Sequence, residues 1–115
     1  MSLILDVKLD PTANPPVIIS NRDVNAEGQV IRWRKASDAT IDFDFERLDE
    51  LDQVYFPCQS IDEDRKRVRC NNRAPTVPMN PPDYPYTIVV KSGGITYDST
   101  RRGGGQPQDK PVIRN

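Results

Sequence analysis

Asp42, Asp44 and Glu46 stand at alternate positions of the segment T-I-D-F-D-F-E, so on an extended chain their three carboxylates point the same way. Carboxylates gathered like this can hold a hard cation or work as an acid and base pair. They can equally form the solvated side of a strand that basic neighbours neutralise. The preceding segment V-I-R-W-R-K supplies Arg32 and Arg34 at the same period, which favours the neutralised face. Cys58 and Cys70 enclose eleven residues, and the chain holds no histidine. Two cysteines alone cannot complete a tetrahedral zinc site unless carboxylates or a second subunit contribute. A disulfide across that loop would add roughly 3 kcal/mol by loop entropy. Free thiols are nevertheless the expected state, because nothing in the sequence marks an oxidising compartment.

The absence of histidine removes the commonest general base, the commonest metal ligand and the usual triad partner. No phosphate-loop, dinucleotide or kinase pattern occurs, and no serine sits in a nucleophile elbow. The expectation is therefore a protein without catalytic residues, cofactor or metal, and not an enzyme.

Basic and aromatic residues offer a different chemistry, that of contact. Asp62-Glu63-Asp64 is followed by Arg65-Lys66-Arg67 and Arg69, a loop with its charges segregated by sign. Its basic half can meet phosphate or an acidic surface, although most charged loops are simply solvated tips. Arg101-Arg102-Gly103-Gly104-Gly105 resembles one copy of an arginine-glycine RNA-binding segment, and equally suits a plain glycine loop. Tyr84, Tyr86 and Tyr97, with the proline-rich run Pro78 to Pro82, could present apolar area to a partner. Tyr86 and Tyr97 are expected in the core, which leaves Tyr84 open. The candidate partner-binding residues are Arg65, Lys66, Arg67, Arg69, Tyr84, Arg101 and Arg102.

Strands must position these groups. From Val30 to Glu46 two runs of apolar and polar alternation flank Ser37-Asp38-Ala39. Folded as a hairpin, they would set Trp33 opposite Phe43, Ile31 opposite Phe45, Arg34 opposite Asp42 and Arg32 opposite Asp44, with apolar and charged faces separated. Leu3, Leu5, Val7 and Leu9 mark a first strand, and Val17 to Ser20 a short second one. Asn21 to Gly28 reads as a loop. Arg47 to Asp52 reads as one helical turn or an edge loop, and Asn71 to Asp83 as an extended proline-rich connection. Tyr84 to Ser99 forms a second hairpin about Gly93-Gly94, with Val90 opposite Tyr97 and Ile88 opposite Ser99. Arg101 to Lys110 reads as a glycine loop, and Pro111 to Asn115 as a last short strand.

Eleven prolines and six glycines in 115 residues, with few runs of helix formers, favour an all-β fold. About seven strands suit a single two-sheet antiparallel β-sandwich domain over residues 1–115. The net charge of −1 gives no whole-molecule field toward nucleic acid or an anionic membrane. No apolar run approaches a membrane span, and the segment M-S-L-I-L-D-V-K lacks the form of a secretory signal, so the cytoplasm is the expected location.

Ile31 and Trp33, the I-x-F-x-F strand at Ile41 to Phe45, the Y-x-Y-T-I-V-V strand at Tyr84 to Val90 and the terminal P-V-I-R-N together resemble small bacterial sandwich domains of cupredoxin-like and immunoglobulin-like type. The resemblance spans Val17 to Asn115 at the level of strand order. It implies the fold and no activity. Copper-carrying cupredoxins hold the metal with two histidines and a cysteine, and this chain has no histidine. The immunoglobulin pattern of cysteines flanking a tryptophan is also missing, since Cys58 and Cys70 both follow Trp33. The expected function is a non-catalytic binding or structural module acting through protein–protein contacts, as a homo-oligomer or a subunit of a larger assembly. The alternatives are nucleic-acid contact through the basic loops at 65–69 and 101–102, and a carboxylate-based hydrolase.

Overall fold

A computed structural model describes residues 2–57, 60–103 and 106–115. Among these residues the chain is all strand, turn and loop, with no helix. In order the strands are β1 (Ser2–Leu9), β2 (Val17–Ile19), β3 (Asp23–Asn25), β4 (Val30–Lys35), β5 (Asp44–Asp49), β6 (Ser60–Ile61) and β7 (Arg67–Cys70). They continue as β8 (Tyr84–Pro85), β9 (Thr87–Ser92), β10 (Ile95–Asp98), β11 (Arg101–Gly103), β12 (Gln106–Asp109) and β13 (Val112–Arg114). The segments are shorter and more numerous than the seven expected, because prolines and turns break the ladders.

A five-stranded sheet runs β2-β1-β4-β7-β6, one three-stranded sheet β10-β9-β5 and another β3-β13-β8. The strands β11 and β12 pair with each other. Alternation decides which side chains turn inward. Leu5, Val7 and Leu9 of β1, Ile31 and Trp33 of β4, and Val68 and Cys70 of β7 are buried. Phe45, Ile88 and Val90 join them from β5 and β9, and Val24 and Ile113 from β3 and β13, in one hydrophobic cluster.

The hairpin expected between Val30 and Glu46 does not form. β4 pairs on one side with β1, in parallel, and on the other with β7, so neither edge is free for β5. The chain turns at Ala36–Ala39 and crosses to the other sheet, where β5 pairs with β9. Trp33, Phe43 and Phe45 still face the interior, and Phe43 meets Phe45 edge-on at 5.5 Å. Period-two patterning had specified the inward face, and the pairing partner was set elsewhere.

Other differences follow the same rule. Residues expected as a helical turn or edge loop extend β5 to Asp49, and the loop after β2 contains β3. Two pairs, β1 with β4 and β3 with β13, are parallel, so the sheets are not wholly antiparallel. The expected loop from Arg101 carries the β11–β12 ribbon, with Arg101 opposite Asp109; Gly104 and Gly105 lie outside the described residues. The second hairpin forms as expected: Tyr97 lies opposite Val90, and the Ser99 amide donates to the Ile88 carbonyl at 3.1 Å. Gly93 and Gly94 both take positive φ, as a two-residue primed turn needs.

Cys70 is disulfide-bonded, which corrects the expectation of free thiols; Cys58, the chain's other cysteine, lies outside the described residues. The Asn71 amide donates to the Pro57 carbonyl at 3.2 Å, so the segment ahead of residue 58 runs beside the residues that follow β7. Sequence spacing carried no information about that approach.

Asn115 is buried and fully engaged. Its Oδ1 accepts from the Gly28 amide at 2.7 Å and from Asn72 Nδ2 at 2.6 Å, and its Nδ2 donates to the Ala74 carbonyl at 2.7 Å. The proline-rich connection is thereby tied to the turn at Gly28.

Candidate partner-binding surface

β4 and β7 read I-R-W-R and R-V-R-C, so inward Ile31, Trp33, Val68 and Cys70 force four arginines onto the outer face. The antiparallel register sets Arg32 opposite Arg69 and Arg34 opposite Arg67. β1 adds Ile4 beside Arg32 and Asp6 beside Arg34. Two rows therefore cross the sheet, and they differ in charge balance.

The row of Asp6, Arg34 and Arg67 is compensated. Arg34 Nε meets Asp6 Oδ1 at 2.7 Å, and Arg67 Nη1 meets Asp62 Oδ2 at 3.3 Å. The row of Ile4, Arg32 and Arg69 has no such relief. Among the described residues neither Arg32 nor Arg69 makes an ion pair, and Ile4 beside them is 46% exposed. Like charges directly opposite on neighbouring strands are unfavourable. The rows share an open cavity of about 350 Å³ whose lining includes Ile4, all four arginines and Asp62.

The sequence candidates divide in this frame. Arg67 and Arg69 lie on the face. Lys66 turns away to donate to Asp42 Oδ1 at 2.8 Å, Asp44 Oδ1 at 2.9 Å and the Phe43 carbonyl at 2.6 Å. Arg65 occupies the left-handed region at φ 56°, with its amide donating to Asp62, and its guanidinium reaches the Phe45 carbonyl at 3.4 Å. Tyr84 stacks edge-on with Phe56 at 5.0 Å and Tyr55 at 5.9 Å. Arg101 pairs with Asp109 at 2.6 Å and Arg102 with Asp98 at 3.1 Å, far along the chain from β4. Tyr86 is buried, and Tyr97 packs partly buried against the core.

The expected partners of the acidic row are also corrected. Lys35 at 2.5 Å and Lys66, rather than Arg32 and Arg34, neutralise Asp42, because β5 left for the other sheet. Hydrogen bonds from Lys35 and then Lys66 hold the Asp42 carboxyl down at about 2, against an ordinary 3.8. A carboxylate held so acidic is a poor proton carrier near neutrality.

Arg32 and Ile4 had not been singled out as binding residues. The signal available was the repeated R-x-R of Arg32/Arg34 and Arg67/Arg69, which the register of β4 with β7 brings onto one face.

No family model matches the chain, and no curated protein matches it. Among the described residues no helix is long and apolar enough to cross a membrane.

Proposed function

We propose that this protein is a non-catalytic binding module that acts through protein–protein contacts, built as one β-sandwich domain of immunoglobulin-like or cupredoxin-like type. A shortest dimension of 23 Å supports the sandwich reading, since two sheets about 10 Å apart with outer side chains fill that thickness. One observation carries the binding reading: Arg32 and Arg69 face each other exposed, and among the described residues neither meets a carboxylate. An arrangement that costs stability in the free chain is explained by a partner that supplies the missing charge. The test is a pull-down from the source cell with the wild-type chain and the R32S/R69S variant. A protein captured by the first and lost by the second supports the reading, and a captured set identical for both removes its basis.

A further inference from the structure

We propose that the Arg32–Arg69 row receives an extended acidic segment of a partner protein, its carboxylate between the two guanidiniums and an aliphatic side chain two residues on resting against Ile4. The proposal rests on the binding reading above and adds the chemistry of the partner.

Spacing supports it. Neighbouring strands lie about 4.8 Å apart, so the midpoint between Arg32 and Arg69 is roughly 7 Å from Ile4 across the sheet. Alternate side chains of an extended segment repeat at nearly the same interval, roughly 6.8 Å, and point to one side. A segment crossing the strands with an acidic residue followed two positions later by an aliphatic one thus meets both features at once. Two facing guanidiniums offer forked donors suited to a carboxylate. Ile4 at 46% exposure gives the aliphatic side chain an apolar seat.

Charge selects a single carboxylate over a polyanion. The adjacent row, Asp6, Arg34 and Arg67, already holds Asp6 at one end and Asp62 at the other. A nucleic-acid backbone crossing the face would bring its next phosphate against those carboxylates. The whole-chain charge of −1 adds no attraction at a distance.

The probe is a fluorescein-labelled heptapeptide with aspartate third and leucine fifth, titrated by anisotropy against the full chain. Controls carry asparagine for the aspartate or serine for the leucine, and a labelled oligothymidylate represents nucleic acid. The aspartate–leucine peptide should bind at least about tenfold more tightly than either control. R32S/R69S should abolish that preference without lowering the thermal midpoint, since it removes two like charges that face each other. R32K/R69K, which keeps the charge and loses the fork, should recover only part of the affinity. Equal binding of peptide and asparagine control overturns the proposal, as does tighter binding of the oligothymidylate lost in the same variant. If the peptide fails while the cellular partner is still lost on R32S/R69S, the binding reading stands and the acidic-segment proposal falls. If the partner is retained as well, both fall.

Discussion

The Trp33 indole N–H donates to Tyr86 Oη at 3.1 Å, with both side chains fully buried. Their rings meet edge-on at 5.2 Å, so one contact ties β4 of the larger sheet to the segment entering β9 of the other. Tyr86→Phe removes the acceptor and leaves a buried N–H unsatisfied, a loss of about 1–3 kcal/mol. Trp33→Ala, which also opens a cavity, should cost about 3–5 kcal/mol. Denaturant titration measures both, and a loss below about 1 kcal/mol for Trp33→Ala contradicts its place in the core.

Burial pushes the Tyr86 hydroxyl well above its ordinary 10.0, while the Trp33 bond and the charge of Arg22 pull the other way. In the unfolded chain the phenol ionises near its ordinary value, and in the folded chain it stays protonated. Stability from this group is therefore complete below about pH 10 and drains away as pH rises above it. Denaturant midpoints measured across that range should fall for wild type and change less for Tyr86→Phe.

The opposite sign holds for Asp42. Its carboxyl sits at about 2 rather than 3.8 because Lys35 and Lys66 bind the ionised form. Its contribution is present above 3.8 and lost as pH falls through about 2. Asp42→Asn should flatten the acid limb of the stability profile within that window, lowering stability at neutral pH and changing it least near pH 2.

Lys66 and Arg67 adjoin in sequence and should respond differently. Lys66 donates to Asp42, Asp44 and the Phe43 carbonyl, bridging β7 to the approach of β5. Lys66→Ser should cost about 1 kcal/mol, whereas Arg67→Ser, on the open face, should stay within about 0.5 kcal/mol. Equal losses in thermal unfolding would show that the bridge carries no weight.

Reduction should weaken the fold. Cys70 is buried beside Ile31 and disulfide-bonded. Removing a native bridge from a small domain typically costs about 2–5 kcal/mol. Thiol counting on denatured, unreduced protein should find no reactive cysteine, and two reactive thiols would refute the bridge.

How much of this was legible in the residues depends on distance along the chain. The hairpin about Gly93-Gly94 was readable because its turn chemistry and both strands lie together. The burial of Trp33, Phe43 and Phe45 was readable because alternation is local. Their pairing was not: Trp33 lies beside Leu5 and Val68, and Phe45 beside Val90, choices made by distant strands competing for the same edges. The candidate face was half visible for the same reason. Arg67 and Arg69 stood out as a charged run, while Arg32 joined them only once β4 and β7 paired.

The parallel pair of β3 with β13 has a kinetic consequence. Val112 lies opposite Asp23, and Asn115 reaches back to Gly28, so segments nearly a whole sequence apart share one sheet and one buried amide. Among the described residues β3 pairs with β13 alone, so it has no strand partner until residues 112–114 have been made. Loop closure on that scale must precede any gain from the contacts, which places refolding in the millisecond-to-second range of non-local β proteins rather than among fast folders. Until then the edges of β3 stay open to pairing with other chains, so crowding of nascent copies is a condition that works against this fold.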